Sequence, residues 1–290
     1  MPDDWTLRGR TVLITGATGG IGLAAAVALA GEGAELVLTA RDAARAAAAV
    51  ARIRARTPAA RVEVLEADFA SLASVAAAGR RFLAAGRPLH VLLNNAGLMN
   101  TARRLTADGH EEMFAVNHLA HYLLTRLLLP RLQQSERARI VHVASDAHGF
   151  CRGISWDDLS LAQGFSAFPA YGHSKLANIL FSNELARRLR GSGISSNALH
   201  PGAVGTGIGS NNWGVFGKVI PLLIRPFMRS AEKGAETAVW LVRSPGLEGV
   251  TGRYFQDCVE ITPKPWARDQ AAEGRLWSVS EQLVQEHLGA

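Results

Sequence analysis

The alternation of short apolar runs with longer helix-forming stretches constrains the fold of this chain most strongly. The runs at 11–15 and 35–40 are rich in β-branched and aliphatic residues, which favour strands. The stretches between such runs are rich in alanine and leucine, which favour helices. Strands separated by helices of this length imply parallel pairing with right-handed crossovers. The sequence therefore predicts an α/β protein with a doubly wound parallel sheet and helices on both faces.

The predicted elements continue along the chain, and we expect residues 1–290 to form a single domain. The predicted strands are 11–15, 35–40, 62–67, 89–93, 139–144, 195–199 and 252–255. The predicted helices are 23–30, 42–56, 72–85, 111–132, one that begins near Tyr171, 230–242 and a C-terminal helix at about 270–287. The stretches at 146–170 and 205–229 lack this alternation. Long loops are usually functional, so we expect both to cover a site, the second as an apolar lid.

A glycine-rich turn joins the first predicted strand to the first predicted helix. It reads Gly16-Ala-Thr-Gly-Gly-Ile-Gly22 and lies inside a strand–turn–helix–strand unit. Glycines let the backbone approach a pyrophosphate, and a helix N-terminus offers free N–H groups to it. The spacing differs from the more familiar G-x-G-x-x-G, and a tight connection alone would also use glycines. The flanking elements favour a Rossmann-type dinucleotide site, and its predicted contacts are Gly16, Thr18, Gly19, Gly20, Ile21 and Gly22.

The end of the second predicted strand bears on which dinucleotide binds. An acidic residue there would bind the ribose 2′-OH of NAD, whereas an arginine would accommodate the 2′-phosphate of NADP. Arg41 occupies this position and favours NADP(H) over NAD(H). Two alternatives remain open. Arg41 could be a surface residue before a helix that Asp42 caps, or Asp42 could contact the ribose.

Polar and glycine residues stand at or just past the ends of several predicted strands. The carboxyl ends of parallel strands meet at one edge of a sheet, and ligands bind outside that edge. The residues in such positions are Gly16, Arg41, Asp68, Asn94, Ser145 and Pro201. Their coincidence predicts one site along this edge.

Tyr171 and Lys175 are four residues apart in a helical stretch, so their side chains share one face. A phenol ionises near pH ~10, which is too high for a general base at neutrality. A neighbouring ammonium about 4 Å away supplies roughly the 4 kcal/mol needed to lower the pKa by about 3 units. The pair therefore predicts a proton donor and acceptor that works near pH 7. A partly buried tyrosine beside an unrelated lysine is the alternative.

Taken in order, these motifs resemble the short-chain dehydrogenase/reductase family, most closely its retinol-dehydrogenase-like and WW-domain-oxidoreductase-like branch. The resemblance covers about residues 8–260, and its motifs are Thr15-Gly-Ala-Thr-Gly-Gly-Ile-Gly22, Asn94-Asn-Ala-Gly97, Val116-Asn-His-Leu-Ala-His-Tyr-Leu-Leu-Thr125, Ser145, Tyr171-Gly-His-Ser-Lys-Leu-Ala-Asn-Ile-Leu-Phe181 and His200-Pro-Gly-Ala-Val204. One motif of this kind is weak evidence, whereas the ordered set is specific. One departure is Asp146, which stands where the family often has a second serine.

The resemblance implies a role for each matching residue. Tyr171 would be the general acid in reduction and the general base in oxidation, and Ser145 would hold the substrate oxygen. Lys175 would lower the pKa of Tyr171 and bind the nicotinamide ribose. Asn117 would bend its helix and hold a water that relays protons to Lys175. The implied cofactor contacts are Asp68 and Phe69 at adenine, Asn94, Ala96 and Gly97 at the adenosine ribose, and Pro201, Gly202, Val204 and Thr206 beside the nicotinamide, together with Tyr171 and Lys175.

Composition and the remaining motifs disfavour nucleic-acid-binding, membrane-spanning and metal-binding proteins. The net charge is +6, but the arginines are scattered, which disfavours nucleic acid. No apolar run reaches the ~20 residues that a membrane span needs, and we expect a cytoplasmic protein without a transmembrane segment. Cys151 and Cys258 have no metal-type spacing, and we interpret them as reduced or buried thiols. We expect no metal site, and packed side chains rather than zinc ligands at His118 and His121.

Three further groups of residues have structural interpretations. Ser145 with nearby acidic and histidine residues lacks the G-x-S-x-G elbow of a hydrolase. Asp157 and Asp158 are expected to form a turn or a helix cap. His173 lies inside the Tyr–Lys motif and is expected to face away from the substrate.

The sequence thus predicts an oxidoreductase that transfers a hydride between NADP(H) and an apolar ketone, aldehyde or alcohol. Two alternatives stay open: a non-catalytic NADP(H)-binding sensor or scaffold, and an epimerase or dehydratase on the same fold. The family resemblance also allows a homodimer or homotetramer. The identity of the substrate and the physiological direction stay open at this stage.

Overall fold

The computed structural model describes residues 5–204 and 228–289, which contain one eight-stranded sheet in the order β3-β2-β1-β4-β5-β6-β7-β8. The strands are β1 (Thr11–Ile14), β2 (Glu35–Ala40), β3 (Val62–Glu66), β4 (Val91–Asn94), β5 (Arg139–Val143), β6 (Ser195–His200), β7 (Tyr254–Gln256) and β8 (Val259–Glu260). Neighbouring strands pair in parallel except β7 and β8, which are antiparallel. The predicted α/β fold class is confirmed.

Helices cover both faces of the sheet. They are α1 (Gly20–Gly31), α2 (Ala43–Arg56), α3 (Leu72–Ala84), α4 (Glu112–Phe114), α5 (Ala120–Gln133), α6 (Ala167–Arg188), α7 (Ala231–Arg243) and α8 (Gln270–Leu288). One core packs α1, α2 and α7 against the sheet, and the other packs α3, α5, α6 and α8 against the opposite face. Strand β1 serves both, since Leu13 belongs to one core and its neighbours Val12 and Ile14 belong to the other. Burial on both faces explains why this strand is apolar throughout.

The single helix predicted over 111–132 was wrong in one respect. A π-helical turn, Ala115–Leu119, separates α4 from α5. Such a turn widens the backbone and often occurs at functional sites. Periodicity alone does not reveal it, because the residues on both sides remain buried.

Two other predicted boundaries also need correction. The loop expected over 146–170 begins with a 3₁₀ turn, Asp146–Phe150, and α6 already starts at Ala167. The last predicted strand lies later, at Tyr254–Gln256, and an unexpected strand, Val259–Glu260, follows it. The exposed residues of this short strand carry no apolar pattern that would have indicated it.

The C-terminal helix α8 packs across α5 and α6. The ring of Trp277 contacts the rings of Tyr122 and Phe181, with centroid distances of 5.1 and 6.0 Å. Glu281 accepts hydrogen bonds from Tyr122 and from Arg126. Within residues 5–204 and 228–289, no helix combines the length and the apolar character that a bilayer crossing requires.

Candidate cofactor and active site

Close packing fixes the glycine-rich turn. Gly16 has a φ of +65°, and a Cβ on it would lie 2.8 Å from the Cα of Ala96. A Cβ on Gly22 would lie 2.5 Å from Asn95 Nδ2 and 2.6 Å from the carbonyl oxygen of Gly16. Side chains at these two positions would therefore push the turn away from the end of β4.

Thr15 and Asn95 hold this turn by hydrogen bonds. Asn95 Nδ2 donates to the carbonyl oxygens of Thr15 at 2.8 Å and Gly16 at 3.3 Å. Thr15 Oγ1 accepts the backbone N–H groups of Asn95 at 2.8 Å and Ala96 at 2.9 Å. The sequence analysis assigned neither side chain a role. The polar residue just before Gly16 and the doubled asparagine at the end of β4 were the available signals.

The N-terminus of α1 is open to an anion. Its N-cap is Gly19, which has no side-chain cap, and the first turn contains no acidic residue. The first N–H groups of a helix lack intrahelical partners and carry a partial positive charge. The predicted contacts Thr18, Gly20 and Ile21 belong to the same turn. This end of α1 can therefore accept a phosphate.

Two arginines follow β2, the strand that pairs with β1 and so lies next to the start of this turn. Arg41 is exposed just after β2, and the Nη2 atom of Arg45 lies 3.7 Å from a Cβ position on Gly19. Neither guanidinium has an ion-pair partner within residues 5–204 and 228–289. Asp42 caps α2 as expected, because its carboxylate accepts the backbone N–H of Arg45 at 2.8 Å. Arg45 was not predicted as a site residue from the sequence, because only the fold of α2 brings it back over the turn.

The residues expected at adenosine differ in exposure. Asp68 and Ala96 are half-buried and Gly97 is exposed. The ring of Phe69 is buried and packs against His121, with a centroid distance of 5.1 Å. The amide of Asn94 is also buried. Its Nδ2 donates to Thr125 Oγ1 at 3.0 Å, and its Oδ1 has no partner among the described residues. The side chains of Phe69 and Asn94 thus belong to the core, and only their backbone lies at the edge of the sheet.

Gly97 brings the end of β4 close to two catalytic candidates. A Cβ on it would lie 3.2 Å from Asn117 Oδ1 and 3.4 Å from Lys175 Nζ. Asn117 lies in the π-helical turn, where its Oδ1 accepts the N–H of Leu98 at 2.8 Å. Its Nδ2 donates to the Leu98 carbonyl at 3.0 Å and to Ser174 Oγ at 2.9 Å. The asparagine therefore ties β4 to α6.

Ser145 and Tyr171 lie side by side, close enough for the serine side chain to act on the pKa of the phenol. Ser145 follows β5, and its Oγ also accepts the N–H of Ala147 at 3.1 Å. Tyr171 lies in the second turn of α6, and the glycine that follows it allows the close approach. A Cβ on Gly172 would overlap the carbonyl oxygen of Ala147. The absence of a side chain there lets α6 pack directly on the turn that carries Ser145.

The expectation that Lys175 lowers the pKa of Tyr171 stays a prediction, because burial is the main influence on that pKa in this arrangement. Burial raises the pKa of Tyr171 to about 12, and the hydrogen bond from Ser145 opposes this. Lys175 Nζ donates to the carbonyl of Val143 at 2.9 Å and lies 5.7 Å from the centroid of the tyrosine ring. Burial also lowers the pKa of Lys175 to about 8. The helical spacing was correct, but the ammonium is directed to the backbone of β5.

The far end of the predicted cofactor site follows β6. Gly202 has a φ of +82°, and the side chain of Arg229 fills the space that its Cβ would take. Arg229 is ion-paired with Asp257, with Nη2 and Oδ2 2.9 Å apart. Pro201 is half-buried, and Val204 forms an isolated parallel bridge with Arg229. The predicted contact at residue 206 and the lid residues 205–227 lie outside the described residues.

Two histidines hold the backbone around Ser145, and the sequence analysis did not assign them this role. His148 Nδ1 donates to the carbonyl of Ser145 at 2.7 Å, and the N–H of Asp146 donates to His200 Nδ1 at 3.1 Å. Burial is the main cause that lowers the pKa of both histidines. Because His148 binds the carbonyl rather than the hydroxyl of Ser145, the pair does not have the geometry of a hydrolase triad.

The remaining candidates are structural in the part of the chain that the structure describes. His118 and His173 are buried, and His173 Nε2 accepts the N–H of Ser155 at 3.0 Å. No group of three or more potential metal ligands occurs among the residues described. Asp158 stabilises a turn, because its carboxylate accepts the backbone N–H groups of Ala162 and Gln163 at 2.9 Å. Both cysteines are free thiols of intermediate exposure.

Comparison with known proteins identifies the family. The sequence matches the short chain dehydrogenase family over residues 10–213. Retinol dehydrogenase 12 of Mus musculus is 41% identical over 95% of this chain and 86% of its own length. The WW domain-containing oxidoreductase of Danio rerio is 41% identical over 97% of this chain and 69% of its own.

Solved structures of other proteins share the fold of this chain. A putative uncharacterized protein from Mycobacterium Paratuberculosis has a TM-score of 0.76 and 34% identity, covering 97% of this chain and 95% of that one. The RhlG/NADP complex of Pseudomonas aeruginosa has a TM-score of 0.68 and 25% identity, covering 92% of this chain and 100% of that one. The predicted branch is confirmed, and the chain belongs to the short-chain dehydrogenase/reductase family of oxidoreductases.

Proposed function

We propose that this protein is an NADP(H)-dependent carbonyl reductase or alcohol dehydrogenase, acting as one domain on apolar ketones, aldehydes or alcohols. The observation that carries the proposal is that Ser145 lies beside Tyr171, with Lys175 one helical turn further on and beside Gly97. Membership of an oxidoreductase family supports the reaction class.

The residues around the glycine-rich turn fit a dinucleotide. Gly16 and Gly22 let the turn pack directly on the end of β4, and the uncapped end of α1 offers free N–H groups to a pyrophosphate. The guanidiniums of Arg41 and Arg45 have no ion-pair partner among the described residues, and they favour a 2′-phosphate at this position and hence NADP(H). Asp42 is committed to capping α2, which argues against a role at the ribose. The related RhlG protein binds NADP, which agrees with this choice.

The nicotinamide supplies or takes the hydride when it is bound. The chain itself handles the oxygen and the proton. Ser145 Oγ binds the substrate oxygen, and Tyr171 Oη gives its proton to the alkoxide that develops in reduction, or takes it back in oxidation. Because burial raises the pKa of Tyr171, the phenol keeps its proton at neutral pH and is ready to act as the acid. Lys175 is held beside it by the carbonyl of Val143.

An exposed aromatic pair near the tyrosine supports an apolar substrate. Phe150 is 56% exposed and Phe168 is 52% exposed, and their rings meet edge to face with centroids 5.7 Å apart. Phe150 ends the turn that begins after Ser145, and Phe168 precedes Tyr171 by one turn of α6. Large apolar rings are seldom left this exposed without a function.

Oxidation of NADPH by the purified protein tests the proposal. The substrates form one series of ketones and aldehydes of increasing apolar size and one of small polar carbonyls of matched reactivity. We expect turnover, with kcat/KM rising along the apolar series and with alcohol as the product. Tight NADPH binding without turnover of any carbonyl would favour a sensor or scaffold instead. A product that has been epimerised or dehydrated, with no net loss of NADPH, would also overturn the proposal.

A further inference from the structure

His121 links two parts of the site that are distant in sequence. It lies in the first turn of α5 and is 2% exposed. Its Nε2 is 2.9 Å from Thr15 Oγ1, and its Nδ1 is 2.9 Å from the carbonyl oxygen of Asn117. The ring therefore spans from the residue before the glycine-rich turn to the π-helical turn.

The chemistry of its partners fixes the direction of each hydrogen bond. A carbonyl oxygen only accepts, so His121 Nδ1 must carry the proton that it shares with Asn117. In the neutral ring Nε2 then accepts, and the hydroxyl of Thr15 is its donor, since the other acceptor of that hydroxyl, the carbonyl of Leu93, lies further away at 3.4 Å. Burial lowers the pKa of His121 to about 4, so the neutral form that this arrangement needs prevails at neutral pH. Thr15 Oγ1 meanwhile accepts two backbone N–H groups, from Asn95 and Ala96.

Both ends of this chain of hydrogen bonds reach groups that the proposed reaction uses. Thr15 is covalently joined to Gly16, whose backbone cradles the cofactor in the proposed function. The side chain of Asn117 bonds the backbone of Leu98 and the hydroxyl of Ser174, in the turn of α6 between Tyr171 and Lys175. A buried hydrogen bond whose partner is removed leaves a polar group unsatisfied, which is costly. The ends cannot move apart without leaving such groups.

We propose that His121 is a positioning residue that fixes the glycine-rich turn relative to Asn117, so that cofactor binding and the alignment of Tyr171 depend on one neutral imidazole. This inference rests on the proposed function. It assigns His121 no contact with substrate or cofactor. Its effect is transmitted through Thr15 on one side and through Asn117 on the other.

A matched pair of variants separates this role from that of an ordinary buried histidine. His121→Phe keeps the ring and removes both hydrogen bonds. His118→Phe removes an equally buried imidazole less than one helical turn away, whose Nε2 is instead 2.8 Å from Ser280 Oγ on α8. Fluorescence titration with NADPH should show binding roughly tenfold weaker for His121→Phe, as expected when buried partners lose a hydrogen bond. The dissociation constant of His118→Phe for NADPH should stay within about twofold of the wild-type value. This should hold even if the melting temperature of His118→Phe falls as far as that of His121→Phe.

Rescue and coupling complete the test. His121→Gln keeps one donor and one acceptor and should recover part of the affinity. Thr15→Val should weaken binding, Thr15→Ser should not, and the Thr15→Val/His121→Phe double variant should bind no worse than its weaker parent. If His121→Phe does not fold, the glutamine variant and the two Thr15 variants decide the matter in the same titration.

Three outcomes of these titrations would have different meanings. Unchanged NADPH affinity in both His121 variants, or additive losses in the double variant, would overturn the positioning role and leave the proposed function intact. Equal losses in His121→Phe and His118→Phe would reduce His121 to a general packing residue. A wild-type protein that binds no NADPH would instead defeat the proposed function.

Discussion

The two faces of the sheet hold their parts of the site by different means. On the face of α1, α2 and α7, close backbone packing at Gly16 and Gly22 sets the turn, and the hydrogen bonds of Thr15 and Asn95 support it. On the face of α3, α5, α6 and α8, buried histidine, asparagine and serine side chains set the geometry through hydrogen bonds. The first face should thus respond chiefly to added volume, whereas the second should respond to pH and to lost hydrogen bonds, including the one from His121 that reaches the turn.

The largest expected effect is acid destabilisation that originates on the second face. Burial is the main cause that lowers the pKa of His118 and His142 to about 3, and of His121 and His173 to about 4. An unfolded histidine titrates near pH ~6.5, so stability is full above that pH and falls as pH drops towards 4. At pH 5 each buried histidine costs about 2 kcal/mol, and together they approach the whole stability of a typical domain.

Urea unfolding at pH 7, 6 and 5 measures this dependence, and His118→Phe provides its control. The variant should lose about 2 kcal/mol less than wild type between pH 7 and pH 5. An equal free energy of unfolding of the wild-type protein at pH 7 and at pH 5 would show that the buried histidines do not resist protonation.

Gly22→Ala tests the first face. The added Cβ meets Asn95 and the backbone of Gly16, and overpacking of this kind costs about 1–3 kcal/mol. NADPH binding should weaken by roughly 100-fold, as measured by fluorescence titration. Gly31→Ala, at the other end of α1, is the control, because its nearest neighbour would be 4.0 Å away. Equal affinities of Gly22→Ala and Gly31→Ala for NADPH would show that close packing at Gly22 does not support cofactor binding.

Gly172→Ala makes the same change on the second face. The new methyl group would displace α6 from the carbonyl of Ala147 and so move Tyr171 from Ser145. Misplacing a catalytic group by about 1 Å can cost roughly 100-fold. We expect kcat to fall by roughly 10–100-fold while the dissociation constant of NADPH stays nearly constant. Gly274→Ala on α8 is the control, since its Cβ would enter open space. If Gly172→Ala lost NADPH affinity but not kcat, this face would position the cofactor rather than Tyr171, contrary to the roles assigned to the two faces.

The smallest expected effect concerns the choice of cofactor. Arg41→Ala and Arg45→Ala should each raise the KM for NADPH by roughly tenfold, as a lost hydrogen bond to a charged group predicts, and leave the KM for NADH nearly unchanged. Steady-state assays with both cofactors measure this, with Arg54→Ala on the same helix as control. Parallel changes for the two cofactors would exclude contact with a 2′-phosphate.

The parts of the site that could be predicted from the sequence are those that depend on local signals. The glycine turn, Arg41 and the strand ends were recognisable because strand periodicity and turn chemistry are local. The packing of Arg45 over Gly19, and the anchoring of Ser145 by His148 and His200, depend on contacts between segments distant in the chain. The direction of Lys175 was beyond the sequence for the same reason. Its spacing from Tyr171 is fixed by the helix, but the carbonyl of Val143 that holds its ammonium belongs to another element.

The central claim is that Tyr171 handles the proton at a site whose affinity for NADPH comes from other residues. Tyr171→Phe, with NADPH binding and NADPH oxidation measured on the same preparation with a substrate that the wild type reduces, tests it most directly. We predict an unchanged dissociation constant for NADPH and a kcat lower by roughly 10²–10⁴-fold, the usual contribution of a positioned acid. A variant that reduces the carbonyl at close to the wild-type rate would contradict the claim.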